Sequence, residues 1–415
     1  MVVACRNASD CTADVQAALD DATGRKLVFP AQDYVVTPLV LRANHTLLHF
    51  AAGARLLAKP GAFLGGADTL LTVQGALWGQ SCNVSCACAL ASNITLSGFG
   101  ATFQMHRDTY TEPPCVLRLP SLSWFLRSDG GCCADHPTEN RMALAVQGVA
   151  NLTVEGLRIE QAGGDGIYLG QVRNFNISIR QVTIWQAFRN GLTVGNIEGV
   201  RVEDTVIGMT NGTAPMAGVD FESDMCFASL RGVFFRNVSL LRNSGSGFQF
   251  TLGPSPDCHP WGGQTPVTAD FEDITVAGSG TYGFSASANG PFPPGGHLRI
   301  KGLRVSDTVS SGLLVEDKGD GWPFLIQDAV FVNVSSAPCP YAECPNGPLW
   351  IEGRNEQCSE VTLSNVTLED DRPRWPVSFM GSLSSTIGGE LVVRNPAGCV
   401  AHAVPNVSLV VNCSG

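Results

Sequence analysis

One short phrase recurs through the middle of the chain and limits what the chain can fold into. Each version has a glycine followed by a short strand in which alternate residues are apolar. Four versions are clear: Gly164–Leu169, Arg189–Val194, Ala217–Glu222 and Ser246–Thr251. Their aligned glycines, at positions 166, 191, 218 and 247, are 25, 27 and 29 residues apart. A phrase repeated at such an interval indicates a solenoid, in which each coil packs only against its neighbours.

The segments between these phrases supply further short strands, with no helical apolar period between them. Examples are Leu152–Ile159, Ile177–Trp185 and Val200–Ile207. Several strands per repeat predict an all-β fold, a right-handed parallel β-helix. A compact core rarely grows beyond about 250–300 residues, but a solenoid can extend further because only neighbouring coils touch. We therefore predict a single domain over all 415 residues.

Three further segments organise this predicted domain. Residues 12–23 have apolar residues at helical spacing, with Thr12 as the predicted N-cap and Gly24 as the stop. A helix here would cap the open N-terminal end of the coil, whose strand edges would otherwise invite association. Residues 77–140 interrupt the repeats and contain six cysteines, so we predict a disulfide-stapled loop excursion with a further coil near residues 98–105. Regular coils are predicted over residues 141–316.

The charge balance argues against two classes of partner. The net charge is −11 and the isoelectric point is about 5.1. Nucleic acids and anionic membranes are bound through an excess of Lys and Arg, which this chain lacks. No apolar run approaches the roughly 18 residues needed to span a bilayer. The sequence therefore predicts no nucleic-acid partner and no membrane partner, and it does not indicate an oligomeric state.

Cysteines and glycosylation sequons suggest the compartment. The chain has 15 cysteines, and disulfides in an oxidising compartment explain them better than a metal site at Cys82, Cys86 and Cys88, which lacks a second cluster. Twelve Asn-x-Ser/Thr sequons fit an extracellular or secretory location. Asn also favours tight turns, so we attribute half of the sequons to turn formation.

Two carboxylates stand out on the predicted strands. Alternation places the apolar residues of each phrase inside and a second column outside, namely Tyr168, Thr193, Asp220, Gln249 and Ser285. Asp220 and Glu222 then share the outer face about 6.5–7 Å apart. Acid-base cleavage of a glycoside uses two such carboxyl groups, about 5–5.5 Å apart for retention and about 6.5–9.5 Å for inversion. The alternative is an exposed face with ordinary solvated charges.

Further candidates surround this pair. Asp165 could complete a three-carboxylate site, although it precedes a glycine and aligns with Asn190, so both could simply hold a bend. Arg189 could bind a sugar or act as a base, or be a surface arginine. The other candidate substrate-binding residues are Tyr168, Gln249, and His259 with Trp261 in the Gly253–Thr265 loop. That loop could stack on a sugar, or it could simply be pinned by Cys258.

The quoted phrases resemble those of right-handed β-helix proteins in the pectin-lyase-like superfamily. This superfamily includes polygalacturonase-like hydrolases, pectate lyases and alginate epimerases, and the resemblance implies a site on the outer face of one sheet near mid-solenoid. The Asn-Thr-Asp, Asp-Asp and Gly-His-Gly motifs that polygalacturonases carry on successive coils are missing from the repeated phrases, and the Asp-Pro-His-Asp motif of alginate epimerases is absent. Arg299-Ile300-Lys301 matches a fourth polygalacturonase motif, but it lies in what reads as an ordinary strand. The resemblance therefore predicts a fold without assigning a reaction.

Three functions remain open. The first is a secreted glycoside hydrolase that uses Asp220, Glu222 and Asp165 on a polysaccharide without a cofactor. The second is a calcium-dependent polysaccharide lyase or uronate epimerase, in which Asp220, Glu222 and Asp224 would hold Ca²⁺, an ion that takes 6–8 oxygen ligands. In that case Arg189 or a nearby group would remove the proton. The third is a non-catalytic solenoid that binds a glycan.

Overall fold

The computed structural model describes one helix and two long parallel sheets. The residues it describes are 1–75, 90–110, 140–170, 172–222, 228–252, 266–288, 295–316, 323–336, 347–353, 360–372, 374–381, 386–395 and 407–414. Within them the chain is an all-β right-handed parallel β-helix with a short N-terminal helix, as the sequence predicts.

The strands of the larger sheet, sheet A, run from one end of the solenoid to the other. They are β1 (Lys26–Phe29), β2 (Asp33–Val36), β4 (Thr46–Phe50), β5 (Arg55–Ala58), β7 (Ala91–Gln104), β9 (Val149–Glu160), β11 (Asn174–Arg180), β12 (Thr183–Trp185), β14 (Ile197–Gly208), β16 (Leu230–Leu241), β18 (Thr268–Ala277), β20 (His297–Ser306), β22 (Phe324–Val332), β24 (Glu360–Glu369), β26 (Thr386–Arg394) and β27 (Val407–Ser414).

The second sheet, sheet B, contains the repeated phrases. Its strands, in spatial as well as chain order, are β3 (Leu39–Leu41), β6 (Leu71–Gln74), β8 (Leu144–Gln147), β10 (Ile167–Leu169), β13 (Leu192–Val194), β15 (Val219–Glu222), β17 (Phe248–Leu252), β19 (Phe284–Ala288), β21 (Leu313–Glu316), β23 (Leu349–Gly353) and β25 (Val377–Gly381). Each strand pairs in parallel with the strand of the next coil.

The N-terminal helix differs from its prediction at both ends. Helix α1 spans Thr12–Asp20, so it ends before residue 23. Its buried face, Val15, Ala18 and Leu19, is the predicted one. Cys11, rather than Thr12, is in the N-cap position, because the Thr12 hydroxyl instead accepts a hydrogen bond from the backbone N–H of Thr37. The Cα atoms of Cys11 and Cys5 lie 5.1 Å apart.

Regular coils extend beyond the predicted limits. Strand β7 lies inside the predicted 77–140 excursion and begins at Ala91, earlier than the coil expected near residues 98–105. It pairs with β4 on one side and β9 on the other, so it is a full coil of the solenoid. Residues 76–89 and 111–139 lie outside the described part, and the division into one domain stays a prediction.

The glycines of the repeated phrase are required by close packing between coils. Gly166, Gly191, Gly218 and Gly247 lie at the bends that precede their strands, although none has the left-handed backbone conformation that favours glycine. A Cβ on Gly191 would overlap the side chain of Ile207 and lie 2.6 Å from the carbonyl oxygen of Gly218. The other three glycines meet the same obstacles from their own neighbours. The phrase repeats because each coil must fit against the next at this point.

Other residues make the bends in sheet A. Eight successive coils have a residue with a positive φ at the same register position, and we call these residues the bend column. They are Gly156, Gln181, Asp204, Asn237, Asp273, Gly302, Asp328 and Asn365. Asn, Asp and Gly tolerate this conformation best. Six of the twelve sequon asparagines have a positive φ, which supports turn formation for that half: Asn93, Asn151, Asn176, Asn237, Asn333 and Asn365.

A ladder of alternating charge runs along the surface of sheet A. In register on six successive coils are Glu155, Arg180, Glu203, Arg236, Glu272 and Lys301. Arg180 forms an ion pair with Glu155, and Glu203 forms ion pairs with Arg236 and Arg201. In the observed register each charge lies beside an opposite charge on the neighbouring coil. The ladder therefore favours this register.

We expect Glu203→Arg to destabilise the protein by about 1–2 kcal/mol, because it removes two ion pairs and creates like-charge contacts, each worth roughly 0.2–1 kcal/mol. The midpoint of urea unfolding measures this loss. The double variant Glu203→Arg/Arg236→Glu should recover part of it. A single variant as stable as the natural chain would show that the ladder does not contribute to stability.

Candidate active site

Three neighbouring coils of sheet B bring the candidate residues together. Tyr168, Thr193 and Asp220 are register partners on β10, β13 and β15, and Gln249 follows on β17. Asp165 lies in the bend before β10, two coils from Asp220. The apolar neighbours of these residues point inward, since Ile167, Leu169, Leu192, Val194, Val219 and Phe221 are fully buried. The predicted inside-outside alternation is therefore correct.

Arg189 connects two of the three candidate carboxylates. Its Nη1 lies 3.4 Å from Oδ2 of Asp165, and its Nη2 lies 2.5 Å from Oε1 of Glu222. Its Nε is buried and has no hydrogen-bond partner among the described residues. The neighbouring carboxylates raise the pKa of Arg189 against the opposing effect of its burial, so it carries a permanent positive charge. One cation thus faces Asp165, Asp220 and Glu222.

The site lies beneath the surface rather than on a solvated face. Asp165 and Asp220 are fully buried. The side chains of Arg189 and Glu222 are 16 % and 17 % exposed, so these two form the edge that solvent reaches. The alternatives of a solvated carboxylate pair and a surface arginine are therefore wrong. Asp165 does hold the bend, as one alternative predicts, because its Oδ1 accepts a hydrogen bond from the backbone N–H of Asn190.

Asp220 retains its proton far more readily than an ordinary aspartate. Burial raises the pKa of Asp220 well above its usual value, and the nearby charge of Glu222 raises it further. As a carboxylate, Asp220 would have a buried Oδ1 with no hydrogen-bond partner among the described residues. Glu222 lies two residues further along β15, and its charge acts on Asp220. A buried acid that favours its protonated form therefore lies beside a second carboxyl group.

Burial also raises the pKa of Asp165, to about 6, although the Arg189 guanidinium and hydrogen bonds from Thr193 and the Asn190 backbone oppose the shift. The folded protein therefore holds a proton that the unfolded chain releases near pH 3.8. Stability contributed in this way is present below pH 4 and is lost as the pH rises to 6.

We expect this loss to be about 3 kcal/mol, since each pKa unit corresponds to about 1.4 kcal/mol. The free energy of unfolding, measured by urea between pH 4 and pH 7, should fall by this amount more in the natural chain than in Asp165→Asn. The control is Asp273→Asn, an exposed aspartate in the bend column. Parallel pH curves for Asp165→Asn and the natural chain would contradict the buried, protonatable Asp165.

Asn190 and Thr193 belong to the site although their sequence context suggests no such role. The Asn190 side-chain amide donates hydrogen bonds to Oδ2 of Asp220 and Oγ1 of Thr193, at 3.1 Å each. Both residues are fully buried. The signal that could have identified Asn190 is its alignment with Asp165 in the repeat, which places a polar side chain at the same bend one coil further along.

The remaining candidates contribute differently. The Tyr168 ring lies over Gly170, at the position that a Cβ there would occupy. The Gln249 amide donates a hydrogen bond to Oγ1 of Thr251 at 3.1 Å, on the coil next to Asp220. His259, Trp261 and Asp224 lie outside the described residues. The substrate-binding roles of Tyr168 and Gln249 stay predictions.

Calcium does not fit the described part of this site. The guanidinium of Arg189 already lies between Asp165 and Glu222, where a cation would need those oxygens as ligands. Asp220 favours its neutral form, which is a poor ligand for Ca²⁺. Across the described ranges, no three His, Cys, Asp or Glu side chains are grouped so as to hold a metal ion.

Comparison with solved structures identifies the fold. The A-module of the Azotobacter vinelandii mannuronan C-5 epimerase AlgE6 is 13 % identical and has a TM-score of 0.63, covering 98 % of this chain and 96 % of its own. A Yersinia enterocolitica family 28 exopolygalacturonase is 13 % identical with a TM-score of 0.60, covering 100 % and 78 %. A Thermotoga maritima exopolygalacturonase is 12 % identical with a TM-score of 0.60, covering 94 % and 89 %. This chain has the same parallel β-helix fold as these structures. No family model and no curated protein sequence matches it.

The β-helix fold also explains the isolated Arg-Ile-Lys match. Arg299 and Lys301 lie on β20 of sheet A, whereas the candidate acids lie on sheet B. Lys301 is the end of the charge ladder, and Arg299 lies 3.9 Å from Asp270. The match therefore belongs to the surface of sheet A.

Among the described residues, no helix is long and apolar enough to cross a membrane.

Proposed function

We propose that this chain is a carbohydrate-active enzyme that hydrolyses a polysaccharide, with Asp220 and Glu222 as its proton-transferring pair. The observation that carries the proposal is a fully buried acid, Asp220, on the same strand face as Glu222, whose side chain reaches the surface. Glycoside cleavage needs a carboxyl group that is protonated near neutral pH beside one that is ionised. The names of the similar structures, polygalacturonases and mannuronan epimerases, are those of enzymes acting on polysaccharides.

Substrate would meet the exposed edge of the site. Glu222 and Arg189 are the acidic and basic groups at that edge, so a glycosidic oxygen would approach Glu222 while Arg189 binds a hydroxyl or carboxylate of the sugar. Glu222 gives the leaving oxygen a proton drawn from Asp220 as the C–O bond breaks. Water adds its hydroxyl group to the anomeric carbon, and its remaining proton returns to the pair. The pair thus holds one proton before and after each turnover.

The electrostatic coupling of Asp220 to Glu222 adds to the reasoning from their spacing along the strand. Because the charge of Glu222 raises the pKa of the buried Asp220, we treat the two as one coupled pair rather than as two independent groups on either side of a scissile bond. Asp220 and Glu222 therefore act as one unit, as the carboxyl pair of an aspartic protease does. The third carboxyl group, Asp165, is assigned to holding Arg189.

A panel of neutral and uronic polysaccharides tests the reaction class. Reducing ends and the ultraviolet absorbance of unsaturated sugars would be measured together, with and without a calcium chelator. Hydrolysis produces reducing ends without absorbance, and the chelator should have no effect. Absorbance that disappears with the chelator would instead support the lyase alternative. Glycan binding without any product would support a non-catalytic solenoid.

The proposed enzyme acts outside the cytosol. The 15 cysteines support this location, and Cys5 and Cys11 lie close enough to be joined. Mass analysis of the natural protein with and without reductant would count the disulfides. A fully reduced chain would contradict the proposed location.

A further inference from the structure

The buried side chain of Asn190 is hydrogen-bonded to Asp220 and determines how the proton of Asp220 is held. We propose that Asn190 is a positioning residue that keeps the proton of Asp220 on the oxygen facing Glu222. The catalytic consequence rests on the proposed function, whereas the position of the proton does not.

The orientation of the Asn190 amide is set by the backbone. Its Oδ1 accepts a hydrogen bond from the N–H of Ala217 at 3.0 Å, so the amide nitrogen must point the other way. That nitrogen has two hydrogens. One is donated to Oγ1 of Thr193 and the other to Oδ2 of Asp220. If the amide were turned over, its NH2 group would face the N–H of Ala217, and that N–H would lose its acceptor. The observed orientation is therefore the only one that satisfies the buried groups.

The consequence for Asp220 follows from donors and acceptors. Its Oδ2 faces an N–H and must accept, so a proton on that oxygen would compete with the amide donor. Its Oδ1 has no other partner among the described residues. The proton therefore resides on Oδ1, and Glu222, the neighbouring carboxyl group on the same strand, has a side chain that reaches the surface. Without Asn190, either oxygen of Asp220 could hold the proton.

Asn190 also links Asp220 to Asp165. The backbone N–H of Asn190 donates a hydrogen bond to Oδ1 of Asp165 at 3.0 Å. The hydroxyl of Thr193 accepts a hydrogen bond from the Asn190 side chain and also interacts with Asp165. The charged groups that face Asp220 are Glu222 on its own strand, Arg189 from the bend before β13 and Asp165 from the bend before β10. The register neighbours of Asp220, Thr193 and Gln249, are uncharged.

Infrared spectroscopy tests the position of the proton without any substrate. The natural protein should show a carbonyl band of a protonated carboxyl group at neutral pH that is missing in Asp220→Asn. In Asn190→Ala this band should move and broaden, because the proton is no longer confined to one oxygen. It should also persist to higher pH, since a hydrogen bond that favours the ionised form is lost. A band unchanged in position, width and titration would overturn the proposal.

A swap variant keeps the test valid if Asn190→Ala does not fold. Asn190→Asp/Asp220→Asn exchanges donor and acceptor, so it should melt closer to the natural chain than Asn190→Asp alone does. A swap variant that melts no higher than Asn190→Asp alone would overturn the donor–acceptor pairing of Asn190 with Asp220.

Kinetics separates this proposal from the proposed function. We expect kcat to fall by about 10²-fold in Asn190→Ala with little change in KM, because misplacement of a reacting group by about 1 Å costs this much. The basic limb of the pH profile should shift upward with the infrared band. A fall in kcat without any shift of that limb would overturn the positioning role. If no polysaccharide is cleaved, the proposed function fails, and the infrared result still tests Asn190.

Discussion

Asp220→Asn is expected to lower kcat for polysaccharide cleavage by about 10²–10⁴-fold, the usual contribution of a positioned acid or base. Asparagine has the shape of the neutral aspartic acid but no proton to transfer, so the protein should fold normally. Its thermal stability at neutral pH should be unchanged or higher, because a buried ionisable group is removed. Initial rates on whichever polysaccharide of the panel is cleaved measure the effect.

Two controls locate the effect in proton transfer. An aryl glycoside of the same sugar with an acidic leaving group needs little protonation, so Asp220→Asn should lose much less activity on it. Glu203→Gln is the matched control, because Glu203 is 14 % exposed and paired with arginine, much like Glu222 at 17 %, but lies on sheet A. Equal losses in Glu203→Gln, or full activity in Asp220→Asn, would contradict the assignment.

The second large effect concerns the aromatic core beneath the site. Phe250→Ala is expected to destabilise the protein by about 3–5 kcal/mol, the usual cost of removing a buried phenylalanine. Phe250 stacks on Phe221 with ring centroids 4.0 Å apart and planes 9° apart, and its ring also contacts Phe271 and Phe284. All four are buried, so neighbouring coils can close the resulting cavity only in part.

Urea unfolding measures this loss, with Phe99→Ala as the control because Phe99 is 51 % exposed. We expect the control to change the free energy of unfolding by less than about 1 kcal/mol. A similarly small loss in Phe250→Ala would mean that the phenylalanine stack does not hold these coils together.

Local patterns predicted the fold well. Alternation along a strand is a property of neighbouring residues, so the inner and outer faces at Ile167 and Tyr168 could be assigned from sequence alone. The apolar face of α1 was predicted for the same reason. The end of the helix was not predicted, because the residues after Asp20 make contacts with a later coil, such as the hydrogen bond from the backbone N–H of Gly24 to the carbonyl oxygen of Asn44. The packing role of Gly191 depends on Ile207 and Gly218, in other coils, and no local pattern reveals it.

The site was predicted only in part, because its chemistry depends on burial and on stacking across coils. The sequence placed Asp220 and Glu222 on one face and suggested Asp165 as a neighbour. It could not show that Asp220 is fully buried or that burial and the charge of Glu222 raise the pKa of Asp220. Asn190 reads as a bend residue because its partner Asp220 is 30 residues away along the chain.

Hydrolysis in water enriched in heavy oxygen tests the central claim most directly. The polysaccharide identified by the panel would be cleaved in this water, and the products would be analysed by mass spectrometry. The account predicts one water-derived oxygen at each new reducing end, no unsaturated sugar, and almost no labelled product with Asp220→Asn. Unsaturated ends without the label would show that the bond is broken by elimination, and the assignment of Asp220 and Glu222 to hydrolysis would then be wrong.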